Sequence, residues 1–151
     1  MRALVAADAK RLHLIESAST PFPWSLNQFI EGLAGDEFGW GIERNGELVA
    51  FALFQQVLDE VTLLNIAVHP DWRRCHLARD LLLQALSALP QRNALRCLLE
   101  VRVGNIAAIA LYRALGFGVD GRRPNYYPAV GGREDALLMS RALPGQPLEI
   151  V

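Results

Sequence analysis

Val68-His69-Pro70-Asp71-Trp72-Arg73-Arg74-Cys75-His76-Leu77-Ala78-Arg79-Asp80-Leu81-Leu82 is the stretch on which the fold turns. It runs from an apolar segment through a proline and a basic turn into a leucine-rich helix. Such a junction suits phosphate, because the first N–H groups of a helix lack intrahelical partners and its dipole is positive there. Arg73, Arg74 and Arg79 add positive charge. Yet the turn from Arg73 to Ala78 has no glycine, and His76 sits within it. A solvated basic surface ahead of an amphipathic helix accounts for the same residues. His69 and Cys75 lie near His76 but form no tetrahedral ligand pattern, so no metal is expected.

Outward from this junction, the pattern predicts one domain over 1–143 and a loosely held tail over 144–151. Residues 2–6 suit a short strand. Asp8 is placed to cap a helix ending near Ser17, and Ser25 with Gln28 forms a capping box for a second helix. Asn45-Gly46 suits a hairpin turn between strands 39–44 and 47–58. Residues 60–68 read as a strand and 77–89 as a helix with Leu81, Leu82, Ala85, Leu86 and Leu89 on one side. Strand 95–103, helix 105–115 stopped by Gly116, and strands 117–127 and 134–143 complete the chain. The order β-αα-βββ-α-β-α-ββ predicts an α/β (α+β) fold with a mixed sheet of about seven strands flanked by about four helices.

Apolar residues make up 52% of 151 and the net charge is −1, which fits a globular domain and removes any global pull toward nucleic acid or anionic membrane. No apolar run approaches the ~20 residues that span a bilayer. Two cysteines, Cys75 and Cys97, give no disulfide framework, so a reducing cytoplasm is the expected setting.

Three further groups carry chemistry. Strand alternation puts Arg96, Leu98, Glu100 and Arg102 on one face, where Glu100 is either an active carboxylate or part of an ion-pair ladder. Asn105 is a good N-cap, and Tyr112 returns to nearly the same helix face two turns later. That helix is almost wholly apolar, so it is expected to be largely buried, with Tyr112 either functional or a core phenol. Tyr126 and Tyr127 end a strand; alternation sends their rings to opposite sides. The acidic Glu31, Asp36 and Glu37 suit either a basic substrate tail or solvent.

Taken together these pieces resemble the GCN5-related N-acetyltransferase superfamily. Val68-His69-Pro70 followed by Arg73-Arg74-Cys75-His76-Leu77-Ala78 is similar to its V-x-P, [QR]-x-x-G-x-[GA] motif, with His76 where the first glycine stands. Asn105, Ala108, Leu111, Tyr112, Gly116 and Phe117 complete its N-x-x-A-x-x-L-Y-x-x-x-G-F motif. The segments 22–25, 57–71 and 99–112, with Asn125-Tyr126-Tyr127-Pro128 and 132–136, resemble the bacterial ribosomal-protein-alanine N-acetyltransferases, the RimI type, over about residues 4–142.

That resemblance implies acetyl-CoA as co-substrate and, as partner, the N-terminal segment of a small-subunit ribosomal protein, number eighteen, acetylated on its alanine. It implies no membrane partner and no direct nucleic-acid binding. Glu100 matches the general base and Tyr112 the general acid. Ile66, Ala67 and Val68 match the strand that pairs with the pantetheine arm. Arg73, Arg74, Cys75, His76, Leu77, Ala78 and Arg79 match the pyrophosphate loop, and Asn105 a cofactor contact. Phe22, Trp24, Tyr126 and Tyr127 look like substrate contacts. His76 is expected to keep the loop N–H groups aimed at the pyrophosphate, since histidine tolerates positive φ better than β-branched residues. An acetyltransferase for a lysine or small amine, or a non-catalytic acyl-CoA-binding module, would share part of this pattern. Phenol and thiol differ by roughly 1.5 pKa units, so proton return from Tyr112 to the thiolate is expected to be only slightly uphill.

Overall fold

The computed structural model describes residues 1–144; the rest of the expected tail, 145–151, lies outside the described residues. Strands β1 (Arg2–Ala3), β2 (Glu37–Arg44), β3 (Glu47–Val57), β4 (Glu60–Val68), β5 (Arg96–Arg102), β6 (Gly118–Ala129) and β7 (Gly132–Ala142) form a seven-stranded sheet, in order β1-β2-β3-β4-β5-β7-β6. Helices α1 (Ala9–Ser17), α2 (Leu26–Ala34), α3 (Leu77–Ala88) and α4 (Ile106–Ala114) follow the expected order along the chain. Among the described residues, no helix is long and apolar enough to cross a membrane. The contacts divide the chain into two compact units. One is Met1–Gln56 with Leu63–Ala88; the other is Val57–Thr62 with the chain from Leu89 onward.

In the first unit, Ser25 accepts from the Gln28 N–H at 3.2 Å while the Gln28 side chain accepts from the Ser25 N–H at 2.7 Å, closing the capping box of α2. Asp8 behaves differently from expectation. It precedes α1 but makes no capping bond, because a short 3-10 turn over Ala6–Asp8 already gives it helical dihedrals. Its carboxylate instead accepts from both terminal nitrogens of the Arg2 guanidinium at 2.9 Å and from the Val5 N–H at 2.8 Å. Asn45 (φ 56°) and Gly46 (φ 81°) turn β2 into β3, as two residues with positive φ must in this hairpin. β3 is buried from Leu48 to Phe54. Its Phe51 and Leu53 join Leu12, Ile15 and Phe29 in a core cluster that Trp24 partly covers. Each such side chain contributes about 1.5–3 kcal/mol on burial.

In the second unit, β5 alternates between buried Cys97, Leu99 and Val101 and accessible Leu98, Glu100 and Arg102. Asn105 caps α4 by accepting from the Ala108 N–H at 3.2 Å, and Gly116 at φ 92° ends the turn beyond it. The expectation of a largely buried α4 is overturned. Ile106 is 71% exposed and, within the helix, only Tyr112 is fully buried. The alanines that make this helix apolar carry too little side-chain area to require burial. Antiparallel β6 and β7 pair in register except at two irregularities, one of them between Arg123 and Tyr127.

Candidate active site

The first unit holds the expected cofactor segment and the turn expected to meet substrate. Ile66, Ala67 and Val68 at the end of β4 are partly exposed. The strand end is tied down by the Ser19 hydroxyl, which donates to Ile15 O at 2.7 Å and lies 3.2 Å from Val68 O. The His69 N–H donates to Val49 O at 2.7 Å. Glu16, which sequence reasoning missed, is a buried carboxylate shared between two donors. The Trp24 N–H reaches it at 2.9 Å and the Asn65 side-chain amide at 2.8 Å. Burial pushes this carboxyl above the ordinary range, against those two hydrogen bonds.

Beyond Val68 the chain makes a 3-10 turn over Pro70–Trp72, then the basic loop, then α3. Arg74 and His76 both take the left-handed conformation, at φ 65° and 57°. The loop therefore keeps a glycine-like path with two non-glycine residues. The His76 carbonyl accepts from the Asp80 N–H at 3.0 Å, and Leu77 is buried, so the first turn of α3 is anchored. Arg73, Arg74, Cys75, His76 and Arg79 are exposed and Ala78 partly so. A twelve-residue helix N-terminus behind three accessible guanidinium groups fits a pyrophosphate.

Phe22 stands exposed on the turn before α2, while the Trp24 ring packs on Phe29 at 5.3 Å. Trp24 also borders an open cleft of about 390 Å³ with Gln28, Glu31, Asp36, Glu37 and Gln55. Among the described residues, one buried oxygen of Glu37 has no hydrogen-bond partner, and burial and then Asp36 raise its pKa.

The second unit holds the expected base and acid. Glu100 Oε1 lies 3.5 Å from an Arg123 guanidinium nitrogen, and the Glu100 carboxylate raises the pKa of the neighbouring Tyr126 phenol. Tyr126 and Tyr127 were expected on opposite sides, but their rings meet edge to face at 4.9 Å. Glu100 is felt electrostatically by both. The cause is the bulge: four residue steps on β6, from Arg123 to Tyr127, oppose two on β7, from Ala136 to Glu134. Asn125 sits in it at φ 52°, held by its N–H donating to Asp135 at 2.9 Å. Arg133 donates to the carbonyls of Asn125 and Tyr126. The Arg123 guanidinium covers the Tyr126 ring at 4.7 Å, and Arg102 covers Tyr127 at 4.6 Å. Glu134 fixes Arg102 at 3.2 Å and accepts from the Gly104 N–H at 2.9 Å.

Tyr112 is buried against Phe117, and burial pushes its phenol up to about 12, with Tyr127 adding to the effect. The gap to a thiol near ~8.5 is then roughly 3.5 units, so the sequence-based figure of 1.5 is too small. Asn105 spends its side-chain oxygen on capping α4. Among the described residues, no group of three His, Cys, Asp or Glu is placed to hold a metal. Sequence alternation located Glu100 and Arg102 together; nothing in it pointed to Arg123, which pairs with Ala136 of β7, itself opposite Arg102, and so reaches Glu100 across the strand between them.

The model of the acetyltransferase (GNAT) family matches residues 7–117. The ribosomal protein bS18-alanine N-acetyltransferase of Escherichia coli K12 is 44% identical over 137 residues, covering 91% of this chain and 93% of that protein. The crystal structure of the Escherichia coli ribosomal-protein-S18-alanine N-acetyltransferase superposes with a TM-score of 0.92 at 40% identity, over 99% of this chain and 96% of that one. Arabidopsis thaliana NAA60, solved in complex with acetyl-CoA, shares the fold at a TM-score of 0.82 and 20% identity, over 94% and 97% of the two chains.

Proposed function

The chain belongs to the GNAT acetyltransferase family, and from that premise we propose that it transfers an acetyl group from acetyl-CoA to a protein N-terminus, the N-terminal alanine of ribosomal protein bS18. The likeness that carries this reading is 44% identity to a bS18-alanine N-acetyltransferase across nine-tenths of both chains. It is supported by the basic loop at α3 and by a carboxylate bordered by two tyrosines at β5 and β6. A cytoplasmic setting goes with a ribosomal-protein substrate.

In this reading the loop from Arg73 to Arg79 binds the pyrophosphate through backbone N–H groups and guanidinium charge, and the β4 backbone at Ile66 to Val68 pairs with the pantetheine arm. Asn105 stabilises α4 beside the cofactor. Phe22, Trp24, Tyr126 and Tyr127 hold the first residues of the substrate. A protein α-amino group has a pKa near ~7.7–8.0, against ~10.4 for lysine, so an N-terminus offers more neutral amine at pH 7. The amine nitrogen forms its bond to the thioester carbonyl carbon, and Glu100 takes the proton, directly or through water. A β4 N–H polarises the carbonyl oxygen. As the C–S bond breaks, the thiolate receives a proton from Tyr112. With that phenol at about 12, Tyr112 acts first as a hydrogen-bond donor to the developing sulfur charge and releases its proton late.

The deciding assay measures thiol release with an alanine-initiated peptide, its N-acetylated copy, and a blocked peptide carrying only a lysine amine. Turnover with the first alone supports the reading; turnover with the lysine peptide favours the rival amine acetyltransferase. Thermal stabilisation by acetyl-CoA without turnover on any amine favours a binding module. Glu100→Gln should lower kcat about 10²–10⁴-fold, with acetyl-CoA binding near wild type. Unchanged turnover across pH would remove the base assignment.

A further inference from the structure

We propose that Arg123 is a positioning residue for acetyl transfer, holding the Glu100 carboxylate beside Tyr126 and keeping the arriving amine neutral. This rests on Glu100 being the base. The guanidinium makes two contacts at once, 3.5 Å to Glu100 Oε1 and 4.7 Å to the Tyr126 ring centre, and Glu100 in turn raises the pKa of the Tyr126 phenol. The pair is half exposed, 50% at Arg123 and 30% at Glu100, so it adds little to folding. Its effect is on what Glu100 accepts. A lone carboxylate attracts ammonium and holds it in the unreactive form. A cation already at the carboxylate cancels that attraction and repels a second cation, so the bound amine loses its proton at lower pH.

The other ionisable groups of this unit leave that geometry to Arg123. On β6, Tyr127 lies beside Tyr126 and under Arg102. Arg102 of β5 is engaged by Glu134 of β7, and Asp135 of β7 by Arg122 of β6. Opposite Glu100, β7 presents Leu138. Tyr112 of α4 is buried near Tyr127. In β4, Glu60 pairs with Arg96 at 4.0 Å.

The test is the pH dependence of kcat for the full chain, from pH 6 to 9.5, with saturating acetyl-CoA and an alanine-initiated peptide. Arg123→Met removes the charge and keeps an apolar stem over Tyr126; Arg123→Lys keeps the charge. The acidic limb of kcat reports groups in the enzyme–substrate complex. In Arg123→Met this limb should move up by about one pH unit, so that kcat falls about tenfold at pH 7 and less than twofold at pH 9.5. Peptide KM should not rise. Arg123→Lys should keep the wild-type limb, with kcat within about threefold. A deficit of equal size at every pH would mean lost packing and overturn the proposal, as would an unshifted limb with unchanged kcat. Glu100→Gln in the same series separates the two claims. Full turnover there removes the base itself, whereas a defective Glu100→Gln beside an unshifted Arg123→Met removes only the role of Arg123.

Discussion

At the scale of one residue, His76 shows where a sequence motif and a backbone path part company. The motif asks for glycine, and the letter is histidine; the path is nonetheless left-handed, at φ 57°, with Arg74 at 65° two residues earlier. A left-handed L-residue costs roughly 1–2 kcal/mol, and glycine removes that cost but loses about 0.5–1 kcal/mol more chain entropy on folding. These nearly offset. His76→Gly should therefore stay within about 1 kcal/mol of wild type, keep its turnover, and bind acetyl-CoA as tightly or more so. His76→Val meets the same φ with a β-branched side chain and should lose about 1–2 kcal/mol, roughly 2–8 °C in thermal unfolding. A large fall in kcat for His76→Gly, with cofactor binding intact, would give the imidazole a chemical part.

At the scale of elements, the legible features were those set by local rules. Ser25 and Gln28 closed the capping box, Asn45-Gly46 closed the hairpin, and alternation put Glu100 on the accessible face of β5. The features missed depend on partners distant in sequence. Pro124 cannot donate to a ladder and Asn125 tolerates positive φ; both were signals of the bulge, but its size follows from Asp135 and Arg133 across the strand pair. Glu16 is a second case. On α1 it reads as an ordinary helical glutamate, yet it ties the turn at Trp24 to Asn65 of β4. Glu16→Leu leaves the Trp24 N–H and the Asn65 amide without acceptors and should destabilise by about 2–4 kcal/mol in urea unfolding. Glu16→Gln should cost less than half of that. Its oxygen accepts from Trp24 while its amide donates to a turned Asn65. Equal losses for the two variants would show that burial volume, not the hydrogen-bond tie, fixes this turn.

At the scale of the whole molecule, the buried and paired carboxylates pull stability in opposite directions as pH changes. The Arg2 guanidinium, then the Val5 N–H, outweigh burial and hold Asp8 below its ordinary range. Its contribution is present above the unfolded value, about 3.9, and is lost as pH falls through the lower folded value. Glu16 and Glu37 are raised, chiefly by burial. Their contribution is complete below the unfolded value, about 4.3, and is lost as pH rises through the higher folded values. Two substitutions should separate these trends. Asp8→Asn should lower stability at pH 7 by about 1–3 kcal/mol, a deficit that shrinks below pH 4 as wild-type Asp8 takes up its proton. Glu37→Gln removes a partly desolvated charge beside Asp36 and should raise the thermal midpoint at pH 7 by about 1–2 °C, a gain that fades toward pH 4. Thermal unfolding of both variants and wild type from pH 3 to 8 checks the signs together. If Glu37→Gln instead destabilises at neutral pH, the carboxylate of Glu37 is held by a favourable contact, and the acidic cleft beside Trp24 is a structural feature of the folded chain and not a strained one.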